Sequence, residues 1–101
     1  MKSANKSING FQILKSDKAS KAMLEYAQMC ILLAIHRFPN SYYEQTKLIS
    51  QKFNQKYKKD TVTLSRNWNS CVIEKGYGGV YYLCNHSILM EYDNKLYCIW
   101  I

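Results

Sequence analysis

Apolar and polar positions alternate along this chain in two rhythms. From residue 22 to 35, Ala22, Met23, Tyr26, Ala27, Cys30, Ile31, Leu33, Ala34 and Ile35 recur with helical spacing. Ser16 or Asp17 can cap this helix, and Pro39 forces it to end by about Arg37. The apolar positions cover more than one face, which predicts a central helix contacted by several other elements. His36 closes it, where a cation suits the negative helix end. A second helix is predicted from Asn40 or Ser41, with Tyr42, Gln45, Ile49, Phe53 and Tyr57 in one stripe broadened by Leu48. A third is predicted in "DTVTLSRNWNSCVIEKG", from about Thr61 to Lys75. There Leu64, Trp68 and Val72 fall at i, i+4 and i+8 with Cys71 beside them, and Thr63, Arg66, Asn67 and Ser70 point away together. Gly76 ends that helix.

After Gly78 and Gly79 the rhythm becomes twofold. "GVYYLC", "ILMEY" and "LYCIWI" are rich in β-branched and aromatic residues and predict strands. Asp93 and Asn94 tolerate positive φ, so "DNK" predicts a hairpin turn. Leu96, Cys98 and Trp100 face one way and Tyr97, Ile99 and Ile101 the other, which places the last strand inside the sheet or under helices. The first 16 residues are polar, broken by Gly10, with "FQIL" as one small apolar cluster. They predict a flexible N-terminal segment over 1–15, its start followed by a short stretch that docks on the body, ahead of a domain over 16–101.

Composition narrows the class. A chain of 101 residues, 48% hydrophobic with one Pro and four Gly, has room for one folded core. Fourteen basic residues against seven acidic ones give +7, which points to a polyanionic partner: nucleic acid, an anionic membrane or an acidic protein. The stretch 47–66 holds six of those bases and one acid, immediately before and within the third predicted helix. Cys30, Cys71, Cys84 and Cys98 form no C-x-x-C pair, and nothing completes a metal site around Cys84 and His86. Reduced thiols are expected, although neighbouring strands can bring Cys84 and Cys98 together. The longest apolar run, "YAQMCILLAI", is shorter than the roughly 20 residues that span a bilayer, and no signal peptide opens the chain. A soluble cytoplasmic protein without membrane contact is expected. The sequence offers no glycine-rich phosphate loop, no H-E-x-x-H and no paired carboxylates, so neither an enzyme nor a cofactor is expected.

The order of elements, together with "TVTLSRNW" and "IEKG", resembles winged helix-turn-helix DNA-binding domains over about residues 20–101. The resemblance implies an α+β fold: a three-helix winged helix-turn-helix with a C-terminal antiparallel β-hairpin or small sheet. It implies that helix 61–75 lies in the major groove of double-stranded DNA. Thr63, Arg66, Asn67 and Ser70 would read the bases, where Arg matches guanine, Asn matches adenine and a Thr methyl meets thymine, with Thr61 and Ser65 at the helix start also binding the nucleic acid. Lys47, Lys52, Lys56, Lys58 and Lys59 would neutralise phosphates, with Lys95 at the wing tip. The lysine-rich joint "KYKKD" and the short wing depart from the family pattern. "GGVYYL" with "KLYCIW" also resembles the start of GIY-YIG nucleases, but no glycine follows Tyr97 and the chain ends before a catalytic helix. The leading expectation is a small DNA-binding regulator of transcription or replication from a phage or mobile element, working as a homodimer on two half-sites. The other is a small phage-type inhibitor that binds a host protein, such as a nucleic-acid enzyme or defence complex.

Overall fold

A computed structural model describes residues 6–8, 10–17, 19–57, 67–74 and 87–101. The elements run β1 (Lys6–Ile8), β2 (Phe11–Ser16), α1 (Lys21–Arg37), α2 (Tyr42–Tyr57), β3 (Asn69–Glu74), β4 (Ser87–Tyr92) and β5 (Lys95–Trp100). The strands form one antiparallel sheet in the order β1-β2-β4-β5-β3. Both helices pack on one face of it, around Phe11, Ile13, Ala27, Cys30, Ile31, Ala34, Ile49, Phe53, Trp68, Val72, Ile88, Met90, Tyr97 and Ile99. The other face carries a smaller cluster of Leu89, Leu96 and Cys98, flanked by Leu14, Cys71, Ile73 and Trp100.

The helices begin and end for local reasons. Ser20, rather than Ser16 or Asp17, caps α1 by accepting from the Met23 amide at 3.1 Å. Ala27, Cys30, Ile31 and Ala34 make the buried stripe, one turn repeating on the next, while Met29 and Leu32 stay exposed. Ser41 caps α2 by accepting from the Glu44 amide at 3.1 Å. Gln45, Ile49 and Phe53 form its buried face, in line with the predicted stripe. Asp93 and Asn94, at φ 53° and 62°, turn β4 into β5 as their tolerance of positive φ predicts. Strand β5 lies inside the sheet, with Tyr97 and Ile99 toward the helices and Leu96 and Cys98 on the far side.

Three expectations are corrected. The fold is not a three-helix winged helix-turn-helix with a C-terminal hairpin; among the described residues, two helices cover a five-stranded sheet whose first two strands precede them. Residues 69–74 of the expected groove-reading helix are strand β3, paired in register with β5 from Asn69↔Trp100 to Glu74↔Lys95. The cause is a spacing shared by both periods. Trp68 and Val72, four apart, share a face in a helix and in a strand alike. The discriminating residues lie between them. Ser70 is buried with Trp68 and Val72, and Cys71 belongs to the opposite face, which is the twofold pattern. The segment expected to precede the domain also contributes to it. Phe11–Ser16 is β2, paired on both sides, with Phe11 fully buried and a bulge between Ile13 and Lys15.

Candidate groove at the open edge of strand β3

Strand β3 has β5 on one side and no strand on the other among the described residues. An antiparallel strand at a sheet edge turns alternate N–H and C=O groups outward, unpaired. Helix α2 packs along this strand and fixes it with polar side chains spaced four apart. The Tyr42 hydroxyl donates to the Glu74 carboxylate. Ser50 and Ser70 hydroxyls lie 2.8 Å apart, and Ser70 Oγ donates to the Thr46 carbonyl at 2.8 Å. Asn54 accepts from the Trp68 amide at 2.7 Å and donates to the Trp68 carbonyl at 3.3 Å. The order along α2 therefore runs opposite to the order along β3. Four helical residues advance about 6 Å and two strand residues about 6.6–6.8 Å, so the two combs stay in step over this length.

Where this comb meets the start of β3, Thr46, Lys47, Ser50, Gln51, Asn69, Ser70 and Trp100 line an open cleft of about 490 Å³. Its donors and acceptors can be assigned by counting protons. Ser70 spends its proton on the Thr46 carbonyl, so Ser50 donates to Ser70 and keeps only acceptor lone pairs. The Thr46 hydroxyl donates to the Tyr42 carbonyl at 2.8 Å and is likewise left as an acceptor. Donors into the cleft come from the side chains of Lys47, Gln51 and Asn69. Lys47 is exposed, 3.9 Å from Glu44 and 4.9 Å from the centre of the Tyr43 ring, so its charge stays hydrated and mobile. The half-buried indole of Trp100 supplies one apolar wall.

Beneath the comb, Trp68 packs against Phe53 and Tyr57 at ring separations of 5.2 and 6.4 Å, and Tyr57 meets Tyr26 at 5.7 Å. Trp68 Nε1 is buried with no hydrogen-bond partner among the described residues. Burial pushes the Cys30 thiol up to about 11, so it stays protonated and inert. The hydrogen bond to Glu74 holds the Tyr42 phenol above its ordinary value, because ionising it would set two negative charges together.

The residues predicted to contact DNA occupy separate places. Lys47 borders the cleft, whereas Lys56 lies over the Tyr26 and Tyr57 rings, 5.0 and 5.8 Å from their centres. Nine helical residues separate those two lysines, so they emerge from roughly opposite sides of α2. Lys52 lies nearer Lys56, and its carbonyl accepts from the Tyr26 hydroxyl at 3.3 Å. Lys95 sits at the β4–β5 turn, 3.6 Å from Asp93. Asn67 is exposed and its carbonyl accepts from Asn69 at 3.1 Å, while Ser70 is turned inward onto α2. Lys58, Lys59, Thr61, Thr63, Ser65 and Arg66 lie outside the described residues. Thr46, Ser50, Gln51, Asn69 and Trp100 were not singled out by the sequence. For Thr46 and Ser50 the one available signal was the run of Tyr42, Thr46, Ser50 and Asn54, polar groups at every fourth position along α2.

No family model matches the chain, and no curated protein matches it. Among solved structures it is similar to the dynein light chain-like domain of the Fasciola hepatica calcium binding protein FhCaBP2, with a TM-score of 0.70, 11% identity and 92% of each chain covered. At that identity the likeness shows the fold alone. It places this chain's architecture with a dynein light chain-like arrangement, in agreement with the topology that overturns the winged-helix expectation.

Proposed function

We propose that the protein is a peptide-binding module that takes an extended segment of a partner protein as an added strand along β3. The observation that carries this is the edge of β3 that has no strand neighbour among the described residues, beside a polar cleft that α2 holds in place. Sheet edges are ordinarily blunted by lysine, proline or a covering element. "NSCVIE" has neither Lys nor Pro, and its one charge, Glu74, is bound by Tyr42. Strand addition supplies affinity through main-chain hydrogen bonds and specificity through pockets for alternate side chains. The cleft has the volume for such a side chain, and Lys47, Gln51 and Asn69 offer donors to it. The formal charge of +7 favours an acidic partner segment, mainly through the rate of encounter. This belongs with the protein-binding alternative that the sequence raised.

The test begins with selection from a library of random extended peptides on the full chain, followed by hydrogen exchange of the bound state. Binders should protect amides within Asn69–Glu74. Gln51→Trp, which fills the cleft from an exposed position, should weaken them by tenfold or more, about 1.4 kcal/mol. Peptides that bind without protecting β3 would defeat the proposal. So would a chain that takes no peptide but retards duplex DNA, with an affinity falling steeply as salt rises.

A further inference from the structure

Two cysteines face each other across β3 and β5. Cys71 and Cys98 are directly opposite in the register, on the face of the sheet away from the helices. Neither is in a disulfide, and Cys98 hydrogen-bonds to Cys71. Opposed residues of an antiparallel pair have Cα atoms about 4.5 or 5.5 Å apart, and both values fall within the 4.4–6.8 Å range of disulfides. Their Cβ atoms, about 4.5–5.5 Å apart, need to close by about 1 Å or less to reach bonding geometry. Cys71 is half-buried and Cys98 is 4% exposed, so one sulfur meets solvent and the other waits behind it.

We propose that Cys71 and Cys98 are an oxidative modification site, closed by peroxides into an intramolecular disulfide that ties the edge strand β3 to β5. The Cys71 thiolate attacks a peroxide oxygen; the S–O bond forms, the O–O bond breaks, and the departing oxygen takes up a proton. Cys71 is then a sulfenic acid, oxidised by two electrons, and the peroxide is reduced. The Cys98 sulfur attacks Cys71; the S–S bond forms, the S–O bond breaks, and hydroxide leaves with the Cys98 proton as water. Two thiols and one hydrogen peroxide thus give one disulfide and two waters. The hydrogen bond from Cys98 brings the Cys71 thiol down to about 7, so a large fraction is thiolate at neutral pH. Cys30 is the internal contrast: it is fully buried on the helix side, with its thiol pushed up to about 11. The site operates whether or not β3 also takes a guest strand.

The experiment uses the full chain carrying Cys84→Ser, treated with one equivalent of hydrogen peroxide, unfolded, alkylated and mapped by mass spectrometry. The expected product has lost the mass of two hydrogens, carries one alkyl label, on Cys30, and yields a Cys71–Cys98 linked peptide that dithiothreitol releases. The same map on the unsubstituted chain, with Cys84 as one further label, must give the same linkage. In the reduced chain, alkylation of Cys71 should be half-maximal near pH 7 and at least tenfold faster than that of Cys30. In Cys98→Ala the half-maximal pH should climb and oxidation should stop at the sulfenic acid. Oxidised Cys71 beside a Cys98 that still accepts label, or linkage only between molecules, would overturn the proposal.

Discussion

Tyr97 shows how much one buried side chain can report. It is 1% exposed among Ile99, Val72 and the α2 residues above them, and burial pushes its phenol up to about 12 from an ordinary 10.0. The unfolded chain therefore releases this proton at a lower pH than the folded one. The group leaves stability untouched below pH 10 and removes it as pH rises toward 12. Tyr26 and Tyr57, raised mainly by burial, and Tyr42, raised by its bond to Glu74, act in the same direction. Tyr97→Phe should remove part of this alkaline loss, seen as a smaller drop in urea midpoint between about pH 9 and about pH 11.5. An equal drop in both proteins would mean that the Tyr97 hydroxyl reaches water.

At the scale of elements, the α2–β3 comb does most to shape the proposed site, and Asn54 is its clearest tooth. Its amide acts as a strand neighbour would, accepting from the Trp68 N–H and donating to the Trp68 C=O. Asn54→Ala leaves both backbone groups without that partner and should cost about 1–3 kcal/mol in urea unfolding. Asn54→Asp keeps the 2.7 Å acceptor and loses the donor, so it should cost less than the alanine. If both substitutions cost the same, the Trp68 carbonyl bond at 3.3 Å carries the pair instead. Much of this level was legible in the sequence. The α2 stripe, the Ser41 cap, the Asp93–Asn94 turn and the two-faced last strand all follow from spacing and local chemistry. The inward turn of Trp68 was legible too. What failed was the period around it, because positions 68 and 72 fit a helix and a strand equally. Only the burial of Ser70 against Thr46 and Ser50, partners 24 and 20 residues away, decides between them. The cleft was invisible for the same reason, since α2 and β3 had to be placed side by side before their polar residues could converge.

For the whole molecule, the deciding fact is that the N-terminal strands close the sheet. β2 lies between β1 and β4, and the pairs Gln12↔Glu91 and Ile13↔Met90 join opposite ends of the chain. "FQILKS" is too short and mixed to announce a strand by itself, because the β4 residues that anchor it to the sheet lie more than 70 residues away. That is why a flexible start and a domain from residue 16 were the natural expectation. The packing assigns these residues a larger share. Phe11 is fully buried, its ring stacked on Tyr92 at 4.2 Å with an 18° tilt, and Ile13 is 5% exposed in the same core. Phe11→Ala should lower stability by about 3–5 kcal/mol, the usual cost of deleting a buried ring from a packed core. Native domains hold only about 5–15 kcal/mol in total, so removing residues 1–16 should go further. That deletion strips both side chains from the core and opens β4 as an unpaired edge beside Ile88 and Met90. The shortened chain should show no cooperative urea transition and a far-UV circular dichroism spectrum without the native sheet. A sharp, native-like transition would instead mean that the two helices and β3–β5 form a self-sufficient unit, with β2 merely laid against it. The burial of Phe11 to the last of its surface argues against that, because a strand laid on from outside would leave its ring partly in water.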